Sequence, residues 1–395
     1  MVRHASLFSQ IVGFFDRNHF SALVSKQQAE KNAKGFKSWD HFVAMLFCQL
    51  AQAKSLREIS GGLASANGKL RHLGMKQSPS KSTLSYANQH RPWELYQDLF
   101  YQTLERCQGL IQSGHKFRFK NKLLSLDSST ISLCLNMFPW AKFRRTKGAV
   151  KLHLLLDHDG YLPSFVNITT GGVHDVTVAR QLNIAPESIV AMDRAYNDYK
   201  LFSRWTDDNV YFVTRTKSNA AFRVVETRDV PTNLNIISDE LIEFTDKKSF
   251  EKCPHRLRKI IVHDQENDRY IELLTNHLSF GATTIAAIYK DRWQIELFFK
   301  AIKQNLRIKT FVGTSENALM IQIWTALIAM LVVKFMQVKS RFGWSLSNMV
   351  AFLRWNLFTH RHLWAWLDKP FDIPPIEPQP TQLALPFRAS WTARQ

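Results

Sequence analysis

The spacing of apolar residues divides the chain into two kinds of predicted structure. Over residues 1–115 apolar side chains recur every three or four positions, as in FVAMLFCQL, which favours amphipathic helices. From about residue 122, short runs rich in β-branched and aromatic residues follow one another, separated by turn signals such as DHDG and GG. Further on, predicted helices and strands alternate. The pattern indicates a helical N-terminal part followed by an α/β part.

Hydroxyl residues mark the predicted helix starts in the N-terminal part. Ser38 is expected to cap the helix through FVAMLFCQL. Ser55 and Glu58 form a capping-box pattern that opens a second, shorter helix. A third helix, STLSYANQ, is expected to start at Ser80 or Ser82. Short helices joined in this way are typical of a helix-turn-helix.

The third predicted helix carries polar side chains that suit base edges and phosphates. These side chains are Lys81, Ser82, Thr83, Ser85, Asn88, Gln89 and Arg91. A helix-turn-helix would place them in a groove of DNA. A helical bundle that serves dimer contacts fits the same pattern, and from the sequence both interpretations stay open.

The charge of the chain favours a polyanionic partner. Its 395 residues include 52 Lys+Arg against 33 Asp+Glu, a formal net charge of +19. Nucleic acid is the usual partner of such a protein, although a basic ribosome-associated or membrane-surface protein would show the same charge. Four Cys residues without CxxC spacing indicate neither a disulfide framework nor a zinc site and fit a reducing cytoplasm. The polar, basic first ten residues predict no signal peptide.

One apolar stretch, residues 318–336, imitates a membrane-spanning helix. Gln322, Thr325 and Lys334 interrupt it, and its uninterrupted part covers only residues 326–333. A bilayer requires about 20 apolar residues. The sequence therefore predicts a buried helix, and no membrane association is expected.

The most informative stretch of the chain reads YKDRWQIELFFKAIK. On a helix that turns by about 100° per residue, four of its polar residues fall within about 60° of one another. These four are Tyr289, Arg292, Glu296 and Lys303. One carboxylate is thus set in a row with two cations and a phenol, beside a separate apolar stripe. On an isolated helix such a row indicates a solvated, salt-bridged face.

Two aspartates upstream change that interpretation. Asp127 in LLSLDSST and Asp193 in SIVAMDRAY each follow an apolar run. In the later stretch the spacing is Tyr, two residues, Arg, three residues, Glu, six residues, Lys. With this set of residues the chain resembles the IS4-type DDE transposases of bacterial insertion sequences. The N-terminal part also resembles the leader domain of many members, so the resemblance covers most of the chain.

The resemblance implies an α/β fold with an RNase H-like catalytic core and a β-rich insertion, preceded by an all-α N-terminal domain. The implied domains are a DNA-binding domain at residues 1–115, a catalytic domain at 116–368 and a Pro-rich tail at 369–395. The insertion is expected at about residues 218–278. In this fold the first Asp lies mid-sheet and the second lies at the end of the fourth strand of the core.

The resemblance also implies the chemistry. Asp127, Asp193 and Glu296 are the implied catalytic residues and metal ligands, with Asp127 bridging two Mg²⁺ ions, for which Mn²⁺ can substitute. The residues implied to contact DNA phosphates are Tyr289, Arg292 and Lys303. The implied partners are double-stranded DNA, as element ends and as target, and a second copy of the chain. A cytoplasmic enzyme that cleaves DNA and joins its 3′-hydroxyls to a target is therefore expected.

Two other functions stay open from the sequence. An RNase H-like nuclease that cuts DNA but never joins ends would carry the same catalytic residues. A DNA-binding protein with an inactive core is disfavoured by the intact set of carboxylates. The sequence contains no GxxxxGK[ST] motif, so it implies no nucleotide hydrolysis.

Overall fold

The computed structural model describes residues 4–372, apart from residues 32, 34, 67, 111–115, 145–146, 218–219, 231–234 and 307–310. The predicted Pro-rich tail lies outside the described residues from position 373 onward. Within the described part, helices pack against both faces of one ten-stranded sheet.

The N-terminal part is helical, as predicted. Its helices are α1 (Leu7–Val12), α2 (Arg17–Lys26), α3 (Ser38–Leu50), α4 (Leu56–Ser65), α5 (Lys81–His90) and α6 (Glu94–Leu110). Ser55 caps α4, because its Oγ accepts from the Glu58 N–H at 3.2 Å. Ser80 caps α5 in the same way, accepting from the Thr83 N–H at 3.1 Å. The predicted starts of both helices are confirmed.

The predicted cap of α3 is wrong by one residue. Lys37 is the N-cap, and the Asp40 side chain accepts from the Lys37 N–H at 3.3 Å. Ser38 is instead the first helical residue. Its side chain is fully buried and donates to the Ala29 carbonyl at 3.4 Å. A hydroxyl that faces the core in this way is committed to a tertiary contact and does not cap the helix.

Two polar residues of the third predicted helix were wrongly expected to face DNA. Asn88 is 1% exposed, and its Oδ1 pairs with His41 Nε2 at 2.9 Å. Arg91 is 7% exposed, and its guanidinium donates to the carbonyls of Phe36 and Lys37. Buried polar groups must find partners inside the protein, and these two do. The exposed face of α5 carries Lys81, Ser82, Ser85, Tyr86, Gln89 and His90.

The ten strands of the sheet all lie between Leu123 and Thr275 in the described part of the chain. They are β1 (Leu123–Leu133), β2 (Lys142–Arg144), β3 (Lys147–Asp157), β4 (Leu162–Thr170), β5 (Ile189–Met192), β6 (Tyr211–Arg215), β7 (Phe222–Thr227), β8 (Ile236–Phe244), β9 (Leu257–Asp264) and β10 (Arg269–Thr275). Their order across the sheet is β2-β3-β1-β5-β6-β10-β9-β8-β7, and β4 also pairs with β3.

The strand pairing confirms the predicted RNase H-like core. Strands β1, β3 and β4 pair antiparallel, whereas β1, β5 and β6 pair parallel. Parallel neighbours require crossover connections, which here contain α7 (Asp175–Ala179) and α8 (Tyr199–Asp207). Since β1 and β5 point the same way and Leu126 pairs with Met192, the carboxyl-terminal end of β5 lies beside the middle of β1.

Four further strands lengthen the sheet from its β6 edge. Strand β10 pairs antiparallel with β6, and β9, β8 and β7 follow in order; α9 (Lys247–Lys252) connects β8 to β9. A buried ion pair of 2.5 Å between Arg258 and Asp239 joins β9 to β8. These elements all lie within residues 218–278.

The C-terminal helices cover one face of the sheet and pack against the N-terminal helices. They are α10 (Ala282–Asp291), α11 (Trp293–Asn305), α12 (Glu316–Lys339), α13 (Leu346–Asn356) and α14 (Leu363–Asp368). By length and composition α12 could cross a membrane, but 89% of its most apolar window is buried inside the protein. It packs on α3, α5 and α6. The prediction of a buried helix is confirmed, and the N-terminal helices share one hydrophobic core with the catalytic part.

Candidate active site

Asp127 lies in the middle of the central strand β1. The four residues before it are buried, and the three from Asp127 onward are half-buried. Its Oδ1 accepts from the N–H of Ser128 at 2.7 Å. Burial raises the pKa of Asp127 to about 6, and the negative charges of Glu296 and Asp193 act in the same direction. The Ser128 N–H and the Arg292 guanidinium oppose this rise without cancelling it.

Asp193 follows β5 directly and therefore lies next to Asp127. Leu126 pairs with Met192 across the parallel strands β1 and β5, so Asp193 follows the end of β5 at the level of Asp127 within β1. The Asp193 side chain accepts from the Arg194 N–H at 2.7 Å and starts a 3₁₀ turn, Arg194–Tyr196. That turn fixes the position of Asp193 at the end of the strand.

Glu296 reaches the same place from α11, which packs on β1. Its Oε1 lies 2.6 Å from Arg292 Nη2, and Arg292 Nη1 lies 3.4 Å from Asp127 Oδ2. The Arg292 guanidinium, only 11% exposed, thus lies between the first and third predicted carboxylates. The structure brings Asp127, Arg292 and Glu296 into one contact group, with Asp193 beside it.

The predicted single helix through YKDRWQIELFFKAIK is in fact two helices. Helix α10 ends at Asp291, and α11 begins at Trp293, with Arg292 at the junction. Tyr289 belongs to α10, and the centre of its ring lies 5.6 Å from Arg292 Cζ. This cation–π contact turns the guanidinium toward the carboxylates. A break at Arg292 was not evident from the sequence, because the helical spacing of apolar residues continues across it.

Lys303 lies farther along α11 beside the same strand. Its Nζ donates to the carbonyl of Thr130 at 2.9 Å, three residues beyond Asp127 on β1. The predicted row of phosphate-binding residues therefore lies along the middle of β1, with Tyr289 and Arg292 before Glu296 and Lys303 after it. Such a row can bind successive phosphates of a DNA strand that passes the carboxylates.

Asp175 is a nearby residue to which sequence reasoning assigned no chemistry. Its Oδ1 accepts from Ser128 Oγ at 2.6 Å and lies 3.2 Å from Lys151 Nζ. Because Ser128 also donates its N–H to Asp127, Asp175 supports the strand residue that hydrogen-bonds the first carboxylate. The dipeptide His174-Asp175 between two predicted elements was the available signal.

The donor set fits a hard divalent cation. Asp127, Asp193 and Glu296 offer only carboxylate oxygens, which suit Mg²⁺ or Mn²⁺ and disfavour zinc. Among the described residues, no group of three or more His, Cys, Asp or Glu is close enough to hold an ion as it stands. Arg292 supplies the physical reason, since its guanidinium occupies the space between Asp127 and Glu296.

A groove of about 990 Å³ opens beside this group, between β9, β10 and α10. Its apolar floor includes Ile236, Val262, Ile271 and Leu273. Its charged lining is mixed, with Lys116, Arg215, Arg269, Lys290 and Arg292 beside Asp264, Glu266 and Asp291. It shares Arg292 with the contact group of Asp127 and Glu296.

Comparisons with known proteins identify the family. Residues 118–332 match the family described as Transposase DDE domain, and residues 3–76 match a domain of unknown function, DUF4372. The chain is 30% identical over 305 residues to y4zB of Sinorhizobium fredii, named as a transposase, covering 76% of this chain and 83% of that protein. It is 30% identical over 276 residues to a protein of Geobacillus stearothermophilus named as the transposase for insertion sequence element IS5377, covering 69% of this chain and 72% of that protein.

Among solved structures, the chain is similar to a piggyBac transposase synaptic complex with hairpin DNA. That likeness has a TM-score of 0.43 and 10% sequence identity over 94% of this chain and 81% of the other. The family match spans more than half of the chain and includes β1, β5 and α11, which carry the three carboxylates. The chain belongs to the DDE transposases of insertion sequences, enzymes that act on DNA and generally use divalent metal ions.

Proposed function

We propose that this transposase binds the terminal inverted repeats of its element, cuts the DNA there and joins the free 3′-hydroxyls to a target. The observation that carries the proposal is the meeting of Asp127, Arg292 and Glu296 at the middle of β1, with Asp193 directly after the neighbouring strand β5. We infer that two copies pair the two ends, and that the enzyme acts in the cytoplasm on the nucleoid.

Asp127, Asp193 and Glu296 would hold two Mg²⁺ ions, or Mn²⁺ in their place. When bound, such ions supply Lewis-acid activation of the attacking oxygen and stabilisation of the leaving oxygen. Asp127 is placed to serve both ions, because it lies between the strand end of Asp193 and the helix of Glu296. Its carboxyl must lose its proton to act as a ligand.

Arg292, Tyr289 and Lys303 would hold the DNA backbone at the reacting phosphate. A guanidinium fork donates two parallel hydrogen bonds to a phosphate, and an ammonium supplies a point charge. In the present arrangement Arg292 pairs with carboxylates. With these carboxylates serving as metal ligands, the guanidinium would be available to a phosphate.

We also propose residues 1–115 as the domain that binds the element ends, and residues 116–368 as the catalytic domain. On the exposed face of α5, Lys81 supplies positive charge, and Ser85 and Gln89 can reach base edges. Tyr86 and His90 stack on the same face with ring centroids 4.1 Å apart. A polar, partly aromatic helix face of this kind suits a DNA groove.

Substitutions on α5 are expected to weaken binding of the element ends by the full-length chain. Lys81→Ala should lower affinity for every DNA sequence and reduce the salt dependence of binding by about one counterion. Gln89→Ala should cost about 1–3 kcal/mol of preference for the element end over unrelated DNA. Fluorescence anisotropy over a salt series measures both effects.

Lys339→Ala is the matched control for Lys81→Ala. It removes an exposed lysine from the end of α12 remote from α5, about 30 Å along the helix from the α5 contact at Asn317. Equal losses from both lysine variants would show that net charge alone drives binding and that α5 is not the DNA-binding face.

Strand transfer separates the proposed reaction from simple cleavage. With precut ends that already carry 3′-hydroxyls, the chain should join them to a supercoiled target plasmid in the presence of Mg²⁺. A nuclease of the same fold would cut intact ends and leave precut ends unjoined. Cleavage without any joined product, under conditions where a complex with two ends forms, would favour that alternative.

A further inference from the structure

A buried chain of hydrogen bonds joins β1 to the junction between α10 and α11. Ser125 Oγ lies 2.7 Å from His158 Nε2, and His158 Nδ1 lies 2.7 Å from Asp291 Oδ2. The three side chains are at most 3% exposed. A serine, histidine and aspartate in this order can form a nucleophilic site where substrate has access. Here the Ser125 side chain is sealed in the protein, so the three residues cannot act on a substrate.

The proton positions in this chain follow from the chemistry of its members. Burial alone would raise the pKa of Asp291, but hydrogen bonds from His158 and Lys116 outweigh it and lower the pKa. An ionised carboxylate only accepts, so His158 Nδ1 carries a proton. The other ring nitrogen, Nε2, forms the second hydrogen bond, with the Ser125 hydroxyl.

This row of buried hydrogen bonds lies beside the contact group of Asp127, Arg292 and Glu296. It runs parallel to the contact between Asp127 and Arg292. Ser125 and Asp127 are two residues apart on β1 and share a face of the strand. Asp291 and Arg292 are adjacent at the junction of the two helices. Two links thus connect the same strand to the same junction: Asp127 to Arg292, and Ser125 through His158 to Asp291.

The buried link is also the more firmly anchored of the two. Asp291 accepts further bonds from Lys116, in the segment before β1, and from Tyr161 Oη at 3.4 Å. The N–H of His158 donates to the Leu123 carbonyl at 3.0 Å, which fixes the turn after β3 to the start of β1. Every one of these contacts is made by residues outside the carboxylate set and independent of bound DNA.

We propose that Ser125, His158 and Asp291 are positioning residues that set the place of Arg292 and Glu296 relative to Asp127. The inference rests on the proposed roles of those three residues. The buried link ties Asp291, the residue next to Arg292 at the junction of α10 and α11, to β1. Since displacements of about 1 Å at a reacting centre can cost a hundredfold in rate, a rigid link at this point matters for cleavage.

The test compares full-length variants in which the buried link is cut at either end. Ser125→Ala and Asp291→Asn should each slow single-turnover cleavage of bound element ends about ten- to a hundredfold, with end binding largely unchanged. Because both changes break one link, the double variant should be about as slow as the slower single variant. His158→Gln, which retains a hydrogen-bonding amide, should recover part of the activity that His158→Ala loses.

Hydrogen exchange gives a readout that does not depend on catalysis. Backbone amides of residues 289–296 should exchange faster in the link variants. They should keep wild-type exchange in Thr214→Ala, which removes a different buried hydrogen bond of the sheet, from Thr214 to Asn197. Unchanged exchange at the junction in Ser125→Ala and Asp291→Asn, or multiplicative rate losses in the double variant, would overturn the positioning role. Failure of the proposed function would show separately, as persistent cleavage by Asp127→Ala.

Discussion

Asp127→Ala, Asp193→Ala and Glu296→Ala are each expected to abolish DNA cleavage while leaving binding of the element ends largely intact. Loss of a metal ligand removes several kcal/mol of stabilisation from the transition state. Since every 1.4 kcal/mol changes a rate tenfold, each variant should cleave at least about a thousandfold more slowly. The α5 face proposed to hold the ends is untouched by all three changes.

Asp208→Ala serves as the control for the loss of one carboxylate. Asp208 follows α8, is exposed, and makes only a long contact of 3.9 Å with Arg204. Its loss should change neither cleavage nor binding. Single-turnover cleavage in Mg²⁺ and gel-shift assays on the same preparations provide the two measurements. Mg²⁺-dependent cutting at the wild-type rate by any of the three variants would remove that residue from the site.

The sequence singled out the three carboxylates of the candidate site, but not the side-chain contacts around them. Asp127 and Asp193 could be found because each ends a buried apolar run, and parallel pairing of those runs brings them together. The contact between Arg292 and Asp127 joins residues 165 positions apart. It depends on a break between two helices that the apolar periodicity does not show.

The burial of polar residues also could not be predicted from the sequence. Asn88 and Arg91 suit DNA by composition, yet both face inward, because their partners His41 and Phe36 come from the region around α3. Asp291 lies near the spaced residues but off the matching positions, so sequence reasoning excluded it. Its importance appears only when folding places His158 against it. Local patterns identify helices and strands, whereas side-chain partners are set by long-range packing.

Arg292→Ala and Lys303→Ala are expected to slow cleavage by roughly ten- to a hundredfold. Each removes a charge-assisted contact to a DNA phosphate, which typically contributes about 1.5–3 kcal/mol. The structure predicts different effects of the two variants on metal affinity. Arg292 forms ion pairs with Asp127 and Glu296. Its loss removes this neighbouring positive charge and should therefore strengthen metal binding. Lys303 bonds to a backbone carbonyl on β1, and its loss should change metal binding little.

A titration of the cleavage rate with Mn²⁺, at saturating end DNA, distinguishes phosphate binding from support of the metal site. For Arg292→Ala the half-saturating Mn²⁺ concentration should fall below that of the wild type, while the maximal rate stays low. For Lys303→Ala only the maximal rate should fall. In both variants the maximal rate stays low because extra metal cannot replace a lost contact to DNA. Full recovery of the rate at high Mn²⁺ would show that these cations organise the metal site, and the phosphate-binding role of the row would then be wrong.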